Sequence, residues 1–208
     1  MKPSRFFVVS FYVVLTMLIG LTAASADKKA EQAEPPREEQ TILERQVSVE
    51  EAYEKWRASP DSVKILDVRT LEEYLFVGHP PMSWNIPLYY QTDQWDAKKE
   101  RFAMVPNLDF VYQVQQVANV DETIFVICRS GGRGAKATNM LANAGFEHVY
   151  NIEHGMEGDK ISDPQSVYQG QRLRNGWKNS GLPWTYDVDP ERLPVTGSES
   201  KDPEVEKE

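Results

Sequence analysis

Residues 123–134 read TIFVICRSGGRG, and this stretch decides the fold. Thr123 to Ile127 is apolar and mostly β-branched or aromatic, a pattern typical of a buried strand. A glycine-rich turn follows, and residues 135–144 predict a helix that Gly145 ends. The single cysteine of the chain, Cys128, is therefore expected at the carboxyl end of a strand, immediately before a helix.

Strand and helix patterns alternate on both sides of this stretch. Such alternation favours parallel pairing, because a parallel connection needs a crossover segment, usually a helix, between its strands. The sequence thus predicts an α/β fold, a three-layer α/β/α sandwich around a central, mostly parallel sheet of about five strands. The other predicted strands cover residues 63–68, 84–86 and 149–152, and the other predicted helices cover residues 51–58, 70–78 and 109–118.

The N-terminus has the three-part layout of a secretory signal peptide. Lys2 and Arg5 precede an apolar run at residues 6–21, and small residues follow at 24–26. We therefore predict that residues 1–26 are cleaved and that the protein is exported, as a periplasmic or secreted protein. The alternative is an uncleaved membrane anchor, since the apolar run approaches the length of about 20 residues that spans a bilayer.

Two further segments lack the apolar residues that a core needs. Residues 27–44 predict a flexible linker rich in acidic residues and Pro, and residues 189–208 predict a disordered acidic tail. The folded domain is expected between them, at residues 45–188. The formal net charge of −9 argues against nucleic acid and anionic membrane surfaces as partners, and a monomer is the default expectation.

The residues around Cys128 predict a reactive thiol. A sulfur atom at a helix N-terminus faces unpaired backbone N–H groups and the positive end of the helix dipole. Arg129 and Arg133 add fixed positive charge, and this environment favours the thiolate. The glycines of the loop allow its backbone N–H groups to converge on one point. The sequence therefore predicts an anion-binding loop with a nucleophile at its base.

The loop resembles the active-site loop of rhodanese-type sulfurtransferases, in particular the single-domain form written Cys-Arg-Ser-Gly-x-Arg. Further family motifs occur in the expected order, and together with the loop they extend over about residues 45–186. They are Asp67-Val68-Arg69 with Glu73-Tyr74 and Gly78-His79-Pro80, then Asn85-Ile86-Pro87, and finally Gly176-Trp177 with Gly181-Leu182-Pro183.

This resemblance implies a sulfurtransferase. Cys128 would take a sulfane sulfur from thiosulfate or a related donor and pass it, as a persulfide, to cyanide or a thiol. No organic cofactor is implied, and the isolated His148 and His154 do not have the spacing of a metal site. The residues expected to bind the small sulfur-containing anion are Arg129, Ser130, Gly131, Gly132, Arg133 and Gly134.

Two other functions stay open. One is a sulfur-carrier module that delivers persulfide sulfur to a protein partner without turnover. The other is an enzyme like a phosphatase or an arsenate reductase. Loop length argues against this second alternative, because only four residues separate Cys128 from Arg133, whereas the related dual-specificity phosphatases use a longer loop to hold phosphate.

The chain departs from the family pattern at two segments. Residues 91–107 are long and charged, and they predict a surface flap. Residues 159–174 are inserted before the closing Gly-Trp pair, and we expect them near the mouth of the site, where they would narrow access or recruit a protein partner. The alternative for this insertion is a surface loop that the fold tolerates at little energetic cost.

Overall fold

The computed structural model describes Thr41 and residues 45–193, along which strands and helices alternate. The strands are β1 (Gln46–Val47), β2 (Val63–Asp67), β3 (Ser83–Asn85), β4 (Tyr89–Asp96), β5 (Arg101–Pro106), β6 (Thr123–Ile127), β7 (His148–Ile152), β8 (Asp159–Lys160) and β9 (Arg172–Arg174). The helices are α1 (Val49–Ala58), α2 (Leu71–Val77), α3 (Phe110–Gln115), α4 (Gly132–Asn143) and α5 (Gly176–Asn179), followed by a 3-10 helix at Pro190–Arg192.

The central sheet has five strands in the order β1-β7-β6-β2-β3, and every neighbouring pair is parallel. This confirms the predicted sheet. Strand β6 lies in the middle, with Val126 paired to Leu66 on one side and to Asn151 on the other. This central position explains the continuous apolar sequence of β6, because a central parallel strand is buried on both faces of the sheet. The carboxyl end of β6 leads directly into Cys128.

Apolar clusters cover both faces of the sheet, which confirms the three-layer arrangement. On one face, sheet residues pack against α3 and α4, and on the other face they pack against α1 and α5. The first cluster includes Leu66, Val126, Phe110, Val114 and Leu141. The second cluster includes Ile65, Ile127, Ala52, Met156 and Trp177.

Several helix boundaries differ from their predictions, and the largest differences are at the start of α4 and the end of α3. Helix α4 begins at Gly132 rather than Ala135, because Gly131 turns the chain with a φ of 105° and its carbonyl already accepts the hydrogen bond of Ala135 N at 2.9 Å. Helix α3 ends at Gln115 rather than Ala118, where a tighter turn follows. The earlier start of α4 places Arg133 and Gly134 inside the helix rather than in the loop.

The two segments that depart from the family pattern each contain a separate two-stranded antiparallel sheet. Strands β4 and β5 form one hairpin and β8 pairs with β9, and neither pair joins the central sheet. Asn107 closes the base of the first hairpin, since its backbone N–H donates to the Leu88 carbonyl at 3.0 Å and its side chain donates to the Pro87 carbonyl at 2.8 Å. The flap predicted at residues 91–107 thus lies within an ordered hairpin.

The predicted signal peptide at residues 1–26 lies outside the described residues, as do nearly all of the linker and residues 194–208 of the tail, so these stay predictions. The start of the predicted disordered tail is ordered in the structure. Arg192 donates to the Met82 carbonyl at 2.9 Å and its guanidinium lies 5.4 Å from the centre of the Trp84 ring. Among the residues that the structure describes, no helix has the length and apolar character needed to cross a membrane.

Substitution Trp177→Ala should destabilise the fold strongly. The indole is fully buried, its Nε1 donates to the Pro183 carbonyl at 2.8 Å, and Tyr53 packs edge-on against it at 5.9 Å. We expect the free energy of unfolding to fall by about 3–5 kcal/mol, because the change leaves a large cavity. This fall in the free energy of unfolding is measured by urea denaturation, with circular dichroism as the signal. Phe76→Ala, at a side chain 79% exposed, is the control and should change stability by less than about 0.5 kcal/mol. Equal effects of the two substitutions would contradict the packing role of Trp177.

Candidate active site

Cys128 lies between the central strand and helix α4, with only 1% of its surface exposed. Its Sγ accepts a hydrogen bond from the backbone N–H of Gly131 at 3.1 Å. The φ of 105° at Gly131 aims this N–H at the sulfur, and glycine adopts that conformation at little cost. A negative charge on this sulfur, or on a second sulfur bonded to it, would therefore lie at the N-terminus of α4.

The backbone of the loop is held by the chain that follows β7. Met156 N donates to the Cys128 carbonyl at 2.7 Å, and Glu157 N donates to the Arg129 carbonyl at 2.9 Å. Gly155 makes this approach possible, because a Cβ at that position would lie 2.3 Å from the Cys128 carbonyl oxygen. Its φ of 58° also disfavours larger residues. Sequence reasoning missed Gly155, whose signal was a glycine placed shortly after a predicted strand.

Arg133 forms a two-point ion pair with Glu73 of α2. Its Nη1 and Nη2 each lie 2.6 Å from a different carboxylate oxygen, and both side chains are largely buried. Glu73 also closes the capping box of α2, since it accepts from Thr70 N at 3.1 Å. The pair therefore joins the first turns of two helices. The predicted role of Arg133 in anion binding stays a prediction, with its guanidinium held by Glu73 at the edge of the site.

The ionisation of this pair reflects burial opposed by charge. Burial alone would raise the pKa of Glu73, but the hydrogen bonds and charge of Arg133 outweigh it, so the pKa lies below its ordinary value. Burial would likewise lower the pKa of Arg133, but Glu73 outweighs it and the pKa is raised. Both groups are therefore charged at neutral pH.

The remaining predicted site residues occupy different positions. Arg129 is exposed and, with Ser130 and Gly132, lines a cavity above Cys128. Gly134 does not line it. That residue is buried in α4, where its Cα packs against the side chain of Asn151. The loop thus surrounds the cysteine, whereas its last glycine serves the contact between helix and sheet. The anion-binding roles predicted for these residues stay predictions.

The cavity has a volume of about 900 Å³, and one side of it is formed by the β4–β5 hairpin. Residues 159–174 supply none of its lining, and their expected position at the mouth of the site stays a prediction. The insertion pairs β8 with β9 instead, and Arg172 of β9 bonds to the Gly158 carbonyl. The lining outside the Cys128 loop comprises Glu73, Tyr89, Gln91, Trp95, Asp96, Lys99, Arg101, Phe102, Ala103, Met104 and Lys136.

His148 and His154 lie away from this lining. His154 Nδ1 lies 3.0 Å from Asp159 Oδ2, and His148 is exposed at the start of β7. In the part of the chain that the structure describes, no group of three or more His, Cys, Asp or Glu side chains is arranged to hold a metal ion.

Comparison with known proteins gives the family of this chain. The family model described as "Rhodanese-like domain" matches residues 48–161. The chain belongs to the rhodanese-like family. The matched residues run from the N-cap of α1 to just beyond β8 and include the Cys128 loop and the β4–β5 hairpin.

This rhodanese-like chain is similar to proteins from plants and bacteria. It is 37% identical over 105 residues to Protein HIGH ARSENIC CONTENT 1, mitochondrial, of Arabidopsis thaliana, a match that spans 47% of this chain and 57% of that protein. It is 30% identical over 123 residues to an uncharacterized protein of Rickettsia prowazekii, spanning 59% and 82% of the two chains. It is 37% identical over 92 residues to Thiosulfate sulfurtransferase 16, chloroplastic, of Arabidopsis thaliana, spanning 44% and 69%.

A solved structure shows the same fold. The crystal structure of Rv0390 from M. tuberculosis superposes with a TM-score of 0.54 at 24% identity, covering 68% of this chain and 97% of that one. This agreement concerns the fold alone, and it extends the confirmation of the predicted rhodanese-like architecture.

Substitution Glu73→Gln should remove a pH-dependent part of the stability. Because folding lowers the pKa of Glu73, its stabilisation is complete above the ordinary carboxyl range near pH 4.3 and is lost as pH falls through the lower folded value. We expect the wild type to be more stable by about 2 kcal/mol at neutral pH and this advantage to shrink in acid. Urea denaturation between about pH 7 and pH 3 measures both.

The control for this series is Glu54→Gln, whose carboxylate pairs with Arg57 on the exposed face of α1. Exposed pairs contribute little, so this change should leave stability nearly constant across the pH range. A stability difference for Glu73→Gln that does not vary with pH would contradict the ion pair as its source.

Substitution Gly155→Ala should displace the Cys128 loop. The added Cβ meets backbone atoms of Cys128, Arg129 and Ser130, at distances from 2.3 to 2.8 Å. We expect the unfolding free energy to fall by about 3 kcal/mol and Cys128 to react faster with iodoacetamide, because the loop is pushed open. Gly145→Ala is the matched control, since its φ is 95° but its Cβ meets nothing within 4 Å. It should cost only about 1–2 kcal/mol of strain and leave alkylation unchanged. Equal alkylation rates in the two variants would contradict the conclusion that the close approach at Gly155 holds the Cys128 loop in place.

Proposed function

We propose that this protein is a sulfurtransferase and that Cys128 carries the transferred sulfur as a persulfide. The observation that carries the proposal is the position of the Cys128 Sγ, buried at the base of a cavity and bonded to Gly131 N at 3.1 Å where α4 begins. Membership of the rhodanese-like family and the similarity to plant thiosulfate sulfurtransferases support it. The export of the protein stays a prediction from its N-terminal sequence.

In the first step, the Cys128 thiolate attacks the outer sulfur of thiosulfate. The sulfur–sulfur bond of thiosulfate breaks, sulfite leaves with the bonding electron pair, and the cysteine becomes a persulfide anion. Backbone N–H groups of the loop, led by that of Gly131, stabilise the negative charge on the terminal sulfur. Arg129, an exposed cation of the loop that lines the cavity, attracts the incoming dianion.

In the second step, an acceptor attacks the terminal sulfur of the persulfide. Cyanide forms a carbon–sulfur bond and leaves as thiocyanate, and the electron pair of the broken sulfur–sulfur bond returns to the Cys128 thiolate. The Glu73–Arg133 pair fixes the first turn of α4 through both steps, so the N–H groups need no rearrangement. Because donor and acceptor use the same cavity in turn, the kinetics should be ping-pong.

The proposal predicts a sulfur adduct on Cys128. Incubation with thiosulfate should add the mass of one sulfur atom to the intact protein, and cyanide should remove it, because each step exchanges one sulfur at this thiol. Intact-mass spectrometry measures the adduct, and thiocyanate production measures turnover. The Cys128→Ser variant should show neither, while the Ser180→Ala variant, away from the cavity lining, should behave as wild type.

The alternatives give different outcomes in the same experiment. An adduct without steady-state thiocyanate production would favour a sulfur carrier that needs a protein partner.

Arsenate reduction is a second candidate, because one relative bears the name HIGH ARSENIC CONTENT 1. Since Cys128 is the single cysteine, that reaction would need an external thiol. Arsenite formed from arsenate and glutathione, with no adduct from any sulfane donor, would contradict the sulfurtransferase.

A further inference from the structure

The cavity above Cys128 is larger than an inorganic sulfur anion requires. Its volume of about 900 Å³ lies in the range of roughly 300–1,000 Å³ that encloses organic ligands of moderate size. Thiosulfate or cyanide would fill only the part next to the sulfur. Because Cys128 is 1% exposed, a sulfur on its Sγ would be approached through this cavity, and the approaching molecule would contact its walls.

The hairpin gives one wall an apolar surface. Trp95 of β4 and Phe102 of β5 are cross-strand partners, and their rings meet edge to face at 5.4 Å. Both line the cavity although they are 58% and 47% exposed. The register of the β4–β5 pairing shifts between Gln91 and Trp95, and such an irregularity changes the direction of the side chains that follow it. The hairpin thus presents an aromatic pair to whatever enters.

The charges of the lining point to an acidic ligand. Arg133 is bonded to Glu73, and Lys99 lies 3.4 Å from Asp96. The other basic side chains of the lining have no ion-pair partner among the described residues, and they come from three different elements. They are Arg101 of the hairpin, Arg129 of the loop and Lys136 of α4. Unpaired cations placed around a concave site attract ligands with more than one negative group.

We propose that the β4–β5 hairpin binds the sulfur acceptor and that this acceptor is an organic thiol bearing carboxylates. The inference rests on the sulfurtransferase function proposed above. The thiolate of the acceptor attacks the terminal sulfur of the Cys128 persulfide, the new sulfur–sulfur bond forms on the acceptor, and the electron pair of the broken bond returns to Cys128. Trp95 and Phe102 cover the carbon skeleton of the acceptor, and Arg101 and Lys136 bind its carboxylates.

The acceptor, rather than the donor, is assigned to the hairpin because of where the sulfur sits. Thiosulfate reacts directly at the buried Sγ and is small enough to remain beside the loop. The persulfide then extends the side chain by one sulfur, so its acceptor reacts further out, nearer the walls. A thiol large enough to span this distance contacts the aromatic pair and the unpaired cations together.

The experiment compares three acceptors with thiosulfate as the donor and sulfite release as the readout. Glutathione carries two carboxylates, 2-mercaptoethanol carries none, and cyanide is the smallest nucleophile. The wild type should prefer glutathione to 2-mercaptoethanol. Arg101→Gln and Trp95→Ala should each raise KM for glutathione by about tenfold, because a charge-assisted bond or an apolar contact is lost. Both should leave the other acceptors and the KM of thiosulfate within about twofold.

Matched controls lie in residues 159–174, outside the cavity. Arg174→Gln and Tyr168→Ala remove an exposed cation and an exposed aromatic ring from that segment, and neither should change any of these values. An equal loss with all three acceptors would overturn the inference, since the hairpin would then only support the reaction site. A selective rise in the KM of thiosulfate, or equal use of glutathione and 2-mercaptoethanol by the wild type, would overturn it as well. If the wild type forms no persulfide, the sulfurtransferase function fails and the inference fails with it.

Discussion

The hydrogen bonds from Met156 N to the Cys128 carbonyl and from Glu157 N to the Arg129 carbonyl are the constraint on which the site depends. They fix the loop through its backbone, so the position of the sulfur does not depend on a flexible side chain. Gly155 permits the close approach, and Gly131 then turns the chain into α4 with its N–H directed at Sγ. These buried carbonyl groups of the loop thereby have hydrogen-bond partners, although the loop itself pairs with no β-strand.

Two ion pairs add side-chain contacts to this backbone arrangement around the site. The Glu73–Arg133 ion pair connects α2 to α4 and is sheltered enough from solvent for its two short bonds to hold their geometry. Asp67 and Arg69 form a second pair nearby, fully buried, and Arg69 also donates to the Gly78 carbonyl at 2.8 Å. These contacts hold Arg69 within the fold, and its side chain does not line the cavity.

The sequence was informative wherever structure is determined locally. The apolar run of β6 and the glycine turn after Cys128 both act within a few residues, and the structure has both where they were predicted, although Gly134 lies in α4 rather than in the loop. The bonds of Glu73 to Arg133 and of Met156 to Cys128 join residues far apart in the chain, and no local pattern signals them. For the same reason, sequence alone could not decide which of the two unusual segments reaches the cavity. Both are polar, and their positions depend on how each hairpin leaves the sheet.

The separation of the β4–β5 hairpin from the central sheet has a consequence for how such a protein can change. Among the strands that the structure describes, β4 and β5 pair with each other alone, and Asn107 secures the base of the hairpin to Pro87 and Leu88. A slip of one residue in a central strand would turn every core side chain to the wrong face, so the sheet tolerates little revision. The hairpin is free of that restriction. Substitutions and changes of length in the hairpin can therefore alter which molecules enter the cavity, while the Cys128 loop keeps its structure.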